Sequence, residues 1–161
     1  MPYKSTTDST LRNFQYKHIQ RIIATNKHLF KCNLSNTNLC DMCSEHIETI
    51  EHLFWECKHI QYLWNQLTTF LEKQQLNVKL SLLDISLGVN TFNIQEVNNA
   101  VNYIIILMKY FIFSMKYRKQ TPTMNCFINY LKLKIQIEKE IALNNDTLHM
   151  FEQKWKHIKL S

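Results

Sequence analysis

The sequence contains only one glycine and two prolines among its 161 residues. So few turn residues argue against glycine-rich phosphate loops, dinucleotide-binding fingerprints and β sandwiches with many tight turns. Hydrophobic residues make up 45% of the chain and charged residues 20%, which is typical of globular rather than disordered proteins. Leucine, isoleucine, lysine, glutamine and glutamate favour long helices. We therefore predict an all-α fold, a helical bundle with short loops and no strand except a small hairpin at a zinc site.

The first ten residues, MPYKSTTDST, are polar and lack the apolar segment of a secretion signal. The cysteines number five, which is odd, and this favours reduced thiols or metal ligands over a disulfide framework. We therefore expect an intracellular protein, in the nucleus, the cytoplasm or both. Residues 103–115 are almost wholly apolar, but the run is short for a membrane span and contains Lys109. It predicts a buried core helix, and we expect neither a membrane partner nor a small-molecule substrate.

Hydrophobic periodicity predicts helices along most of the chain. They cover residues 9–30, 58–75, 94–119, 123–143 and 147–158, with a further short helix over 80–87. Asp8 or Ser9 is placed to cap the first of them, because a short side-chain oxygen accepts a hydrogen bond from a free helix N–H. The polar stretch around Gly88 suggests a division into residues 1–76 and 77–161, although one continuous domain fits the same pattern.

The first predicted helix is amphipathic and carries charge of one sign. Its predicted apolar face comprises Leu11, Ile19, Ile22, Ile23, Leu29 and Phe30. Residues 12–31 include no acidic residue and five basic ones: Arg12, Lys17, Arg21, Lys27 and Lys31. With a net charge of +6, this segment is the predicted surface for RNA or DNA phosphates. An ordinary solvated helix face is the alternative interpretation.

The most specific pattern is Cys40-x2-Cys43-x8-His52-x4-Cys57. A Cys-x2-Cys turn directs two sulfurs at one ion, and a histidine and a cysteine from the following turns complete a tetrahedron for Zn²⁺. Four protein ligands leave no position for water, so the pattern predicts one structural zinc ion and no hydrolytic site. His46 and His59 lie close enough in sequence to replace His52. Cys32 is a further alternative ligand, although such a cysteine is more often a small core residue, and we interpret Cys126 as a core residue.

The segment between these ligands is acidic. It contains no lysine or arginine and five carboxylates: Asp41, Glu45, Glu48, Glu51 and Glu56. Three thiolates on a divalent cation add a further net negative charge. The zinc segment is therefore predicted to repel phosphate, so nucleic-acid contacts would come from the basic first helix or from Lys116, Arg118 and Lys119.

Several runs together resemble the zinc-binding region that follows the reverse transcriptase domain in LINE-type non-LTR retrotransposons. They are LRNFQYKHIQRIIATNKHLFKC, LCDMC, ETIEHLFWEC, QYLWNQL and the later NYIIILMKYFIFSMKYRK. The resemblance covers about residues 10–145. It implies that Cys40, Cys43, His52 and Cys57 are the zinc ligands and that Trp64 is a core residue.

The same resemblance implies binding of template RNA or target DNA in support of target-primed reverse transcription. Polymerase chemistry is not expected, because it needs paired aspartates for two metal ions, and no two of the four aspartates are adjacent. We therefore expect a non-catalytic module. Two alternatives stay open. The first is a scaffolding module whose helices over residues 94–143 dock on a polymerase core or self-associate, because residues 103–115 are very apolar. The second is an inactive remnant of a retroelement.

Overall fold

The computed structural model describes residues 5–160, and in this range regular structure is entirely helical. The elements are α1 (Ser9–Ile19), α2 (Asn26–Lys31), a π-helix (His52–Glu56), α3 (Lys58–Lys73), α4 (Leu82–Leu87), α5 (Gln95–Tyr117), α6 (Met124–Asn144) and α7 (Leu148–Trp155). The predicted all-α class is confirmed for the described residues. The predicted hairpin is reduced to one antiparallel bridge, between Leu39 and Ile47.

The predicted first helix over residues 9–30 is wrong, because the chain turns between α1 and α2. Asp8 caps α1 by accepting hydrogen bonds from the N–H groups of Thr10 and Leu11. After Ile19 the chain leaves the helix through Arg21, whose φ of 59° is left-handed. Thr25 then caps α2. The basic residues therefore lie on two short helices and the turn between them, rather than along one continuous face.

This turn also invalidates the predicted apolar face. Ile22 and Phe30 are exposed, because the turn resets the angular position of every residue after it. Ile19, the last residue of α1, is also exposed. Ile23 is buried, as predicted. The buried face of α1 itself consists of Leu11, Phe14, Gln15 and His18. Two of these four are polar, which is why a search for apolar periodicity misses the face.

From residue 58 onward the helices lie close to their predicted positions. Pro122 separates α5 from α6, and Thr123 caps α6 by accepting a hydrogen bond from the N–H of Cys126. The apolar residues of α3 recur at helical spacing, and five of them are buried: Ile60, Leu63, Trp64, Leu67 and Leu71. Phe70, at the edge of this buried stripe, is partly exposed and packs against the core. The strong periodicity of these segments leaves little ambiguity about which face packs inward.

Helix α5 forms the centre of the core and contacts α1, α6 and α7. Its residues from Tyr103 to Met108 are at most 4% exposed. By length and composition alone α5 could cross a membrane, but 78% of its most apolar stretch is buried inside the protein. It is therefore a core helix, as predicted, and the apolar surface of this run is covered by the rest of the chain.

One lysine lies inside this core. Lys109 of α5 is fully buried and donates a hydrogen bond to Gln15 Oε1 of α1 at 2.5 Å. Gln15 Nε2 in turn donates to the carbonyl of Ser86 in α4 at 2.8 Å. Burial lowers the pKa of Lys109 to about 7. The same environment lowers the pKa of His18 to about 3, through burial and then through the charge of Lys109. The polar link therefore joins three helices without requiring a permanent buried charge.

We expect this lysine to make stability depend on pH. Between pH 7 and 10.5 the unfolded chain binds a proton at Lys109 that the folded chain does not, so stability rises with pH by about 1.4 kcal/mol per unit. Lys109→Met removes this component. The measurement is urea unfolding of the wild type and of Lys109→Met at pH 7 and pH 9.5, with excess zinc. The unfolding free energy of the wild type, relative to that of the variant, should increase from pH 7 to pH 9.5. A difference independent of pH would contradict the prediction.

Candidate metal centre

Four side chains converge at the predicted zinc site: Cys40, Cys43, His52 and Cys57. Their ligand atoms all lie within 4.8 Å of one another. The Sγ atoms of Cys40 and Cys57 are 4.0 Å apart, and Sγ of Cys43 lies 3.3 Å from Nε2 of His52. A tetrahedral zinc ion with Zn–S bonds of about 2.3 Å requires ligand atoms about 3.5–3.8 Å apart. The donor set and its spacing therefore fit one zinc ion with four protein ligands.

A short loop presents the first two ligands. The bridge between Leu39 and Ile47 closes the base of this loop, and the N–H of Cys40 donates to the carbonyl of His46 at 2.8 Å. The turn passes through Ser44, whose φ is 56°. The N–H of Met42 points at Sγ of Cys40 at 3.4 Å. Backbone contacts within this loop thus set the positions of the first two ligands independently of the second pair.

The π-helix explains the x4 spacing between the last two ligands. In an α-helix of 3.6 residues per turn, a residue five positions after His52 would be rotated away from it by roughly 140°. Here the N–H of Cys57 donates to the carbonyl of His52 at 3.0 Å, the five-residue bond of a π-helix. The wider turn brings His52 and Cys57 towards one ion.

Trp64 supports the π-helix from α3. Its indole is buried, and its Nε1–H donates to the carbonyl of Phe54 at 2.7 Å. The carbonyl belongs to the π-helix itself, so this hydrogen bond ties the geometry of the last two ligands to the first turns of α3. The interpretation of Trp64 as a core residue is confirmed, with the addition of this polar contact.

The protein environment shifts the pKa values of the three ligand thiols in different directions. Burial raises the pKa of Cys40 to about 12 and also raises the pKa of Cys57. Burial acts in the same direction on Cys43, but hydrogen bonds from the backbone of Glu45 and His46 and from nearby histidine rings outweigh it and lower the pKa to about 6. The two buried thiols therefore need a cation to become thiolates, which is what a bound zinc ion supplies.

The alternative ligands lie outside the cluster. His46 is exposed and stacks on the ring of His52, with ring centroids 5.5 Å apart. His59 is also exposed and is not among the four converging residues. Cys126, predicted to be a core residue, is exposed at the start of α6, so that prediction is wrong. The structure therefore favours His52 over the other histidines as the nitrogen ligand.

Cations from outside the segment pair with most of the acidic residues around the site. Glu45 pairs with Lys58 at 2.6 Å, and Glu51 pairs with Arg21. Asp41 and Glu48 both pair with Lys116 of α5, at 3.1 and 3.0 Å. Four of the five carboxylates thus have a cationic partner, which reduces the predicted negative charge of the zinc segment. Glu56 is exposed.

Lys116, the lysine that pairs with both Asp41 and Glu48, is suggested from the sequence as a phosphate contact. It is instead buried, and it also donates to Oδ1 of Asn26 at 2.6 Å. Glu48 is fully buried and accepts a hydrogen bond from the N–H of Asn26 at 2.8 Å. The end of α5 is thereby joined to α2 and to the zinc loop, so the suggested role of Lys116 in binding nucleic acid is wrong. Arg118 and Lys119 are exposed.

The five basic residues proposed from the sequence are all on the surface. Arg12 and Lys17 belong to α1, and Lys27 and Lys31 belong to α2. Arg21 lies in the turn between the helices, where its pairing with Glu51 raises the pKa of the guanidinium. Their role in binding stays a prediction, because exposure permits a phosphate contact without requiring one.

The closed Cys3His site places the N-terminal part of the chain in the class of small domains with a structural zinc ion. Residues 2–64 match the model of a family described as zinc-binding in reverse transcriptase. The match includes all four ligands and Trp64, and it confirms the resemblance for this part of the chain. Residues 65–161 lie outside it. Comparison with curated proteins gave no match.

Proposed function

We propose that the protein is a non-catalytic, zinc-stabilised module that binds RNA or target DNA in support of target-primed reverse transcription by a non-LTR retrotransposon. The observation that carries this proposal is the family match over residues 2–64 together with a converged set of four zinc ligands. The chain would act inside the cell, in the nucleus, the cytoplasm or both, where nucleic acids and reduced thiols occur together.

Two features support the non-catalytic part of the proposal. A zinc ion with four protein ligands has no open position at which to activate water or polarise a substrate. The sequence also lacks the adjacent aspartates that a polymerase uses to hold two metal ions. The zinc ion would serve to hold α2 and its basic residues against the helical bundle.

Lysines on α1 and α2 are the proposed phosphate contacts. We expect Lys17→Ala and Lys31→Ala to weaken binding of RNA and DNA of any sequence, with the slope of log affinity against log salt lower by about 1 for each lost contact. Fluorescence anisotropy across a salt titration measures both effects. Lys139→Ala, which removes the same charge from the exposed face of α6, is the matched control. Equal affinity of all the variants and the wild type would refute this surface.

The scaffolding alternative loses its original basis. It depends on an exposed apolar surface over residues 103–115, and the structure buries most of that run inside the protein. Docking on a polymerase core or self-association therefore stays a prediction that this surface does not support.

A further inference from the structure

A groove runs between the outer face of α3 and the start of α6. Its cavity volume is about 420 Å³, and it opens to solvent. Helix α3 contributes Tyr62, Asn65, Gln66, Thr69, Phe70 and Lys73, and helix α6 contributes Met124 and Ile128. Most of these α3 positions lie on the face opposite to its buried stripe, and Phe70 lies at the edge of that stripe. The lining contains none of the four zinc ligands and none of the five basic residues proposed from the sequence.

Four side chains in this groove make no hydrogen bond, ion pair or aromatic contact with the residues that the structure describes. Tyr62 is 66% exposed, and its ring contacts no other aromatic side chain there. The side-chain amides of Asn65 and Gln66 make no hydrogen bond within the described range, and Lys73 forms no ion pair there. Other cations, such as Lys58 and Lys134, are paired with carboxylates. The groove therefore holds an aromatic ring, two amides and a cation that are all available to a ligand.

The charge of the groove distinguishes it from other cavities. Its lining includes the cation Lys73 and no carboxylate, and the neighbouring Glu72 is not part of it. The cavity of about 450 Å³ near the start of α5 is lined by Glu96, by Glu138 and by Lys154, which pairs with Glu138. The opening at the zinc site contains two glutamates and Lys58, which pairs with one of them, Glu45. The groove between α3 and α6 therefore combines a cation that has no ion pair among the described residues with a lining free of carboxylates, which suits an anionic ligand.

We propose that this groove binds single-stranded nucleic acid, with an unpaired base stacked on Tyr62 and a phosphate on Lys73. Aromatic side chains stack on bases of any sequence, and amides form hydrogen bonds with base edges that pairing would otherwise occupy. Phe70, Met124 and Ile128 line the groove with apolar surface that the base covers. A duplex keeps its bases stacked and paired, so only a single strand can place a base there. This inference rests on the proposed function and assigns it a second contact surface.

The test measures binding of a labelled single-stranded oligouridine and of an RNA duplex to the full chain by fluorescence anisotropy, with Tyr62→Ala, Tyr62→Phe and Lys73→Ala. We expect Tyr62→Ala to weaken single-strand binding at least about fivefold and to change duplex binding little. Tyr62→Phe retains the ring and should bind like the wild type. Tyr117→Ala removes another largely exposed tyrosine, at the end of α5, and is the control.

The outcomes separate this inference from the proposed function. Loss of single-strand affinity in Tyr62→Ala and Lys73→Ala, with normal zinc content and circular dichroism, supports the groove. Unchanged affinity in both, alongside weaker binding by Lys17→Ala, overturns the groove and leaves the proposed function intact. If the wild-type chain binds neither probe, both are refuted. Equal losses for the single strand and the duplex would also overturn the groove, because they indicate a phosphate contact without base stacking.

Discussion

Replacing Cys43 by serine is expected to abolish zinc binding and to unfold the segment that carries the site. The loop around the first two ligands has only one backbone bridge of its own, and two of the four ligands, Cys40 and Cys57, are held in a buried cluster. Structural zinc ions contribute on the order of 10 kcal/mol to folding, which is comparable with the whole net stability of a domain, about 5–15 kcal/mol. Metal analysis of the purified protein and circular dichroism during thermal unfolding measure both effects. Removal of zinc with a chelator should reproduce them in the wild type.

The chain offers matched controls for this experiment. Cys32→Ser changes an exposed cysteine outside the cluster and should retain one zinc ion per chain. His52→Ala should lose the ion, whereas His46→Ala, which removes the ring stacked on His52, should keep it. A zinc-containing His52→Ala variant together with a zinc-free His46→Ala variant would show that the ligand assignment is wrong.

The second large effect is expected at Lys116. Lys116→Met leaves the fully buried Glu48 without its cation, and breaking a buried ion pair in this way costs about 3–5 kcal/mol. Asp41 and the side chain of Asn26 lose the same partner. Urea unfolding at saturating zinc measures the loss, and hydrogen exchange should show faster opening of the zinc loop than of α6.

A double variant tests whether the unpaired charge is the cause. Adding Glu48→Gln to Lys116→Met removes the charge and keeps an acceptor for the N–H of Asn26, so part of the lost stability should return. Lys58→Met makes the same chemical change at an exposed pair and should alter stability little. Equal effects at Lys116 and Lys58 would rule out the buried network as a stabilising feature.

The sequence allowed prediction of the ligand set because zinc chemistry restricts both residue type and spacing. Cys40, Cys43, His52 and Cys57 combine the thiolate and imidazole donors that zinc prefers at intervals that a tight turn and a helix can bridge. The long helices α3 and α5 were equally predictable, since their apolar residues recur with the period of a buried helical face. In both cases the relevant pattern lies within a short segment of the sequence, so it can be recognised without knowledge of the fold.

The remaining features depend on contacts between distant residues, which a local rule does not report. The turn at Arg21 carries no glycine or proline, and the buried face of α1 includes Gln15, whose partner Lys109 is 94 residues away. Lys116 resembles a surface cation in sequence, yet Glu48 and Asp41 surround it in the fold. The π-helix likewise gives no sequence signal beyond the x4 interval, because an α-helix accommodates the same residues.

Lys116, near the end of α5, limits how far the chain can be shortened without loss of the buried ion pair. A fragment that stops at residue 64, where the family match ends, would contain all four ligands, Asp41 and Glu48, but not Lys116. Such a fragment would keep its metal ligands but lose the cover over the loop around them, because Glu48, which the whole chain buries, would face water. A fragment of this chain that keeps the buried ion pair should therefore extend at least through Tyr117, the last residue of α5.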